Sequence, residues 1–152
     1  MSRYCLDTSA YSQFMRGEPV VTGLLDSAEW VGVPAIVIGE LLSGFAQGRQ
    51  TSRNERELEE FLANPAVETL PVDRDVARFY AEIFTSLKAA GTPLPINDVW
   101  VAAAAARAGA SVLTFDAHFS KIKRVGSLVL DAGSRGTAGG RLRGRPSGGP
   151  QS

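Results

Sequence analysis

The hydrophobic positions of this chain change period along its length. Short apolar runs stand at Arg3–Leu6, Trp30–Val33, Val67–Leu70, Ser111–Phe115 and Leu128–Leu130. Each is too short for a stable helix and suits a strand. Between them, apolar residues recur at helical spacing. Residues 8–16 place Tyr11, Phe14 and Met15 on one side, and Glu18 to Ser27 reads as a second short helix with Pro19 in its first turn. Pro34 opens a long apolar helix, and Thr51 to Leu62 forms a charged one that ends before Asn64-Pro65. Asp73 caps a helix reaching Gly91, with Val76, Phe79, Tyr80, Ile83, Phe84 and Leu87 on one face. Residues 92–97 read as a loop. Asp98 then begins a nearly all-apolar helix closed by Gly109, and Asp116 to Ser120 is a short helical turn.

Strands that alternate with helices predict an α/β fold: a mainly parallel central sheet with helices on both faces. No internal repeat appears, and no boundary falls before residue 132. The chain has 152 residues, enough for one domain with a sizeable core. The net charge of zero conceals an asymmetry. Residues 133–152 carry Arg135, Arg141, Arg143 and Arg145, seven glycines and no acid, which leaves residues 1–132 at −4. The expectation is therefore a domain over 1–132 and a disordered Arg/Gly-rich tail over 133–152. Cys5 is the only cysteine, so the chain holds neither an internal disulfide nor a thiol cluster for zinc, which fits a reducing cytoplasm. No apolar run is long enough for a membrane span, and no secretion signal is expected at the N-terminus.

Charge becomes informative where it interrupts the pattern. Asp7 directly follows the first strand, and Asp116 follows Val112-Leu113-Thr114-Phe115. In open α/β sheets ligands bind at that carboxyl edge. Asp98, at the start of a buried helix, is expected near the same edge. Glu40 sits inside an apolar helix, where an unpartnered charge costs several kcal/mol. Taken singly, Asp7, Asp98 and Asp116 are each also explained as helix caps. Capping fails for the mid-helix Glu40. Four acids at one edge repel one another, and a hard divalent cation with oxygen ligands relieves that repulsion. Without a His/Cys cluster, nothing points to a softer metal.

These residues carry a resemblance. The sequence resembles the PIN-domain ribonucleases, and among them the VapC-type toxins of type II toxin–antitoxin systems. L-D-T-S at 6–9, G-E-L at 39–41, N-D-V-W-V-A-A-A-A at 97–105 and L-T-F-D-A-H-F at 113–119 match the family's motifs in order. The resemblance implies a single PIN-like domain whose acidic pocket is formed by Asp7, Glu40, Asp98 and Asp116. Asp7, Asp98 and Asp116 would hold Mg²⁺ or Mn²⁺, with Glu40 acting through water. Thr8, Ser9, Asn97 and Thr114 would support the pocket by hydrogen bonds. Metal-assisted hydrolysis leaves 5′-phosphate and 3′-hydroxyl ends on RNA. His118, the only histidine, is read as a surface residue.

The resemblance also implies partners: transfer or ribosomal RNA as substrate, a VapB-like antitoxin across the groove, and a homodimer. Lys121, Lys123 and Arg124 follow Asp116 closely and are the best candidates for RNA contact. Val20, Val21, Leu24, Leu25, Leu42 and Phe45 are candidates for an apolar antitoxin groove. Two alternatives stand beside this reading. One is a PIN-like RNA-binding or RNA-processing protein without a toxin role. The other is a metal-dependent phosphatase, which would need a second aspartate where Ser9 stands.

Overall fold

The computed structural model describes residues 2–131, so the Arg/Gly-rich segment 133–152 lies outside the described residues. The elements run β1 (Arg3–Leu6), α1 (Thr8–Met15), α2 (Pro19–Asp26), β2 (Trp30–Pro34), α3 (Ala35–Ala46), α4 (Thr51–Leu62), β3 (Val67–Leu70), α5 (Arg74–Ala89), α6 (Ile96–Ala108), β4 (Ser111–Thr114), a 3₁₀ turn (Ala117–Lys121) and β5 (Ser127–Val129). All five strands are parallel, in the order β3-β2-β1-β4-β5.

That order decides where a ligand can sit. From β1 the chain steps outward to β2 and then β3. After α5 and α6 it returns to the other side of β1 and steps outward again to β5. Right-handed crossovers then place α1 to α4 on one face and α5 and α6 on the other. The direction of winding reverses between β1 and β4, which opens a crevice at their carboxyl ends. The register pairs Cys5 with Val112 and Leu6 with Leu113, so the next residues along, Asp7 and Thr114, come side by side.

The core explains the near-absence of polar residues in α6. Val99, Val101 and Ala102 to Ala105 are buried, and the alanines let the helix lie close to the sheet. On its outer side Trp100 stacks on Tyr80 of α5 with ring centroids 4.0 Å apart. Gly109 ends α6 in the left-handed conformation at φ 67°, a geometry that favours glycine. Phe119 is fully buried and anchors the 3₁₀ turn. Cys5 is fully buried too, and burial pushes its thiol pKa up, so it is inert rather than reactive.

Two boundaries differ from the sequence reading in ways that bear on function. The segment read as a loop over 92–97 already turns helical at Ile96, with Pro95 in the extended N-cap position and no side-chain cap. Asp98 therefore lies in the first turn of α6 and does not cap it. Strand β4 stops at Thr114, one residue early, because the Phe115 N–H leaves the ladder and donates to Ser9 Oγ at 2.9 Å.

Candidate active site

Asp7 is the most constrained acid. It is only 6% exposed, and three donors converge on it. Oδ1 accepts from the Ala10 N–H at 2.9 Å and from Ser9 Oγ at 2.8 Å, while Oδ2 accepts from Thr114 Oγ1 at 2.5 Å. Asp7 is thus a true N-cap of α1 and something more. A carboxylate offers about four lone-pair sites. Three are filled here by these donors.

The supporting hydroxyls are relays. Ser9 Oγ donates to Asp7 and accepts from Phe115 N–H, tying α1 to the end of β4. Thr114 Oγ1 donates to Asp7 and accepts from Asp116 N–H at 2.8 Å. Each hydroxyl therefore fixes one acid relative to the strand that carries another. Ser9 holds the position at which a phosphatase of this start would need its second aspartate, and it is engaged in that relay.

Glu40 is the acid that capping could not explain, and the structure supplies its partners. Oε1 accepts from Thr8 Oγ1 at 2.5 Å and Oε2 from Asn97 Nδ2 at 3.0 Å. These bonds fasten α3 to the starts of α1 and α6. An open groove of about 570 Å³ runs along Gly39, Ser43 and Gly44 up to Glu40 and Asn97.

Asp98 feels the charge of the other three acids, although among the described residues only Asp116 and His118 bring a ligand atom within 4.8 Å of it. Its carboxyl is pushed up to about 6, first by burial and then by the like charges of Asp116, Asp7 and Glu40, while His118 pulls it down. Burial likewise lifts the Asp7 carboxyl, against the pull of its three donors, and Asp116 adds to the rise. Asp116 caps the 3₁₀ turn by accepting from His118 N–H at 2.9 Å. One ligand atom each from Asp98, Asp116 and His118 lies within 4.8 Å of the others. Oxygen-rich donors at that spacing, carrying unrelieved repulsion, fit a divalent cation.

The structure distributes the other sequence candidates less tightly. Arg124 pairs with Glu82 of α5 at 2.9 Å and lies over the Phe79 ring at 4.8 Å. Lys121, Lys123 and Arg124 line a cleft of about 520 Å³ against α5, and none of the four acids lines it. Of the apolar groove candidates, Val21 is fully buried and Leu42 is 39% exposed. Val20, Leu24, Leu25 and Phe45 pack partly buried against the core. His118 is exposed, as read, yet its Nδ1 lies 3.0 Å from Asp116 Oδ1. Its spacing two residues after Asp116, in a turn that curls back, was the signal for that position.

Comparison with known proteins agrees with this fold. Residues 4–125 match the PIN domain. Ribonuclease VapC5 of Mycobacterium tuberculosis is 30% identical over 125 residues, covering 82% of this chain and 91% of the relative. Ribonuclease VapC4 of the same organism is 33% identical over 102 residues, covering 67% and 78%. The solved structure of VapBC-5, a toxin–antitoxin system of M. tuberculosis, matches with a TM-score of 0.66 at 28% identity, covering 86% of this chain and 100% of that one. The chain belongs to the PIN-domain family and, within it, to the VapC ribonucleases.

Proposed function

We propose that this protein is a divalent-metal-dependent endoribonuclease that hydrolyses RNA phosphodiester bonds as the toxin of a VapBC-type pair. The observation that carries the reading is the gathering of carboxylates at the crevice: a ligand atom of Asp98 lies within 4.8 Å of one of Asp116, and burial, then the charges of Asp116, Asp7 and Glu40, push the Asp98 carboxyl up to about 6. Carboxylates with raised pKa values gathered in a cleft mark a functional site, and a divalent cation relieves their repulsion. Asp7, Asp98 and Asp116 would hold Mg²⁺ or Mn²⁺. When bound, the cation neutralises the acids, draws charge from the scissile phosphate and makes hydroxide available near neutral pH.

The chain's own residues do the rest. Ser9 and Thr114 keep Asp7 and Asp116 in register across the crevice between β1 and β4. Glu40, bonded once at each oxygen, holds Thr8 and Asn97 at the pocket's rim and orients water there. Asp98, with its carboxyl at about 6, is mostly ionised near neutral pH and would be available there as a ligand. The open groove beside Glu40 admits a single strand, and unstacked RNA loops are the substrates that such a groove reads. Transfer or ribosomal RNA loops are the proposed target class. Lys121 and Lys123 are solvent-facing and guide the phosphate backbone toward the site, with Arg124 held against Glu82.

The partner is a VapB-like antitoxin that lays a cationic side chain among the acids. Relatives support this, since VapBC-5 is a toxin–antitoxin system. A homodimer and a cytoplasmic setting complete the proposal. Among the described residues no helix is long and apolar enough to cross a membrane.

The test uses purified full-length protein, end-labelled tRNA or rRNA, and Mn²⁺ or Mg²⁺. Cleavage is expected only with the ion, leaving 5′-phosphate and 3′-hydroxyl ends. Cleavage that survives EDTA, or that leaves 2′,3′-cyclic phosphates, overturns the reading. Growth arrest on expression, relieved by a co-expressed antitoxin, tests the toxin role separately.

A further inference from the structure

His118 brings an imidazole to the acidic pocket, beside the carboxylates of Asp98 and Asp116. It stands in the first turn of the 3₁₀ segment, where its N–H donates to Asp116 Oδ1 at 2.9 Å. That bond curls the backbone toward Asp116, and the ring follows, with Nδ1 3.0 Å from the same oxygen. The imidazole is 55% exposed at its side chain and its Nδ1 pairs with Asp116. The 3₁₀ turn itself is fixed by buried Phe119 next door, so the ring sits on an anchored backbone.

Three donor atoms, from Asp98, Asp116 and His118, lie within 4.8 Å of one another. Ligands of one cation at metal–donor distances of about 2.1 Å are separated by at most about 4.2 Å, so small side-chain rotations bring all three to a single ion. Carboxylates alone make a site for hard ions such as Mg²⁺. An imidazole nitrogen is a softer donor, which transition-metal ions accept more readily than Mg²⁺. We propose that His118 is a nitrogen ligand of the divalent cation and gives this site a preference for Mn²⁺ over Mg²⁺. The inference rests on the metal-dependent reading above and goes beyond it, because the acids alone do not require it.

The experiment is pulsed electron paramagnetic resonance on the Mn²⁺-loaded full-length protein, alongside calorimetric titration with each ion. Wild type is expected to show ¹⁴N modulation from a directly bound imidazole. His118→Ala is expected to lose it, with Mn²⁺ affinity falling about tenfold and Mg²⁺ affinity changing by less than about threefold. His118→Gln, which keeps a polar side chain without the ring nitrogen, is expected to behave as His118→Ala does. Mn²⁺ binding without ¹⁴N modulation in wild type overturns the inference and leaves the metal-dependent reading standing. Equal loss of both ions in His118→Ala does the same, because it reduces His118 to a residue that positions Asp116. Failure of wild type to bind either ion overturns both.

Discussion

Replacing Asp98 by asparagine is expected to lower metal-dependent RNA cleavage by at least about a hundredfold. Loss of a residue that merely orients a ligand already costs about 10–100-fold in affinity or activity, and loss of a ligand lies at or beyond the top of that range. The same substitution is expected to stabilise the metal-free protein. The Asp98 carboxyl titrates at about 6 in the fold because burial and three acids oppose its charge, whereas the unfolded value is about 4. Between those values the native state holds more protons than the unfolded one, so stability falls as pH rises through the window and is lowest above pH 6. The half-buried group faces solvent on one side, so screening reduces the gain from asparagine to about 1 kcal/mol at pH 7.5. That corresponds to about 3 °C in melting temperature for a chain of this size. Thermal melts of both proteins in EDTA measure it, and the difference should close toward pH 4. Below pH 6 a cation must displace a proton from Asp98, so wild-type Mn²⁺ affinity should fall about tenfold per pH unit. An Asp98→Asn protein that cleaves RNA normally, or melts no higher at pH 7.5, contradicts this account.

Thr114→Val is expected to damage both stability and metal binding. Thr114 is fully buried, and its hydroxyl serves two groups at once. It donates to Asp7 Oδ2 and accepts from Asp116 N–H. Valine keeps the shape and removes both bonds, leaving a charged oxygen and a backbone donor without their protein partner. Each loss costs about 1–3 kcal/mol, so a total of about 3 kcal/mol is expected. Melting should fall by about 10 °C. Mn²⁺ affinity should fall at least about tenfold, since two acids lose their alignment. Thr114→Ser keeps the hydroxyl and serves as the control, with near-normal Mn²⁺ affinity and only the loss of a methyl group. Equal behaviour of Val and Ser variants would remove the relay from the account.

The carboxyl-edge acids were legible in the sequence because strand periodicity ends abruptly at Asp7 and near Asp116, and topology does the rest. Glu40 was legible as an anomaly, a charge inside an apolar helix. Its explanation was not, because it depends on Thr8 and Asn97 arriving from other elements. The start of α6 was misplaced since Pro93 and Pro95 read as loop, while Pro95 in fact occupies the N-cap position. The consequence was to credit Asp98 with a capping option that it does not have. The basic run at Lys121 to Arg124 suggested a single RNA-facing patch. Arg124's pairing with Glu82 and Phe79 is tertiary, across about forty residues, and no local pattern announces it. The reach of His118 back to Asp116 depends on the tightness of a 3₁₀ turn.

The most direct measurement is anomalous scattering from crystals of the full-length protein soaked in Mn²⁺. A strong peak is expected between β1 and β4, at about 2.1–2.3 Å from carboxylate oxygens of Asp98 and Asp116 and beside Asp7 Oδ2. Absence of a peak there at saturating Mn²⁺, or peaks only at surface acids away from the crevice, would contradict the claim that these side chains assemble to hold a cation.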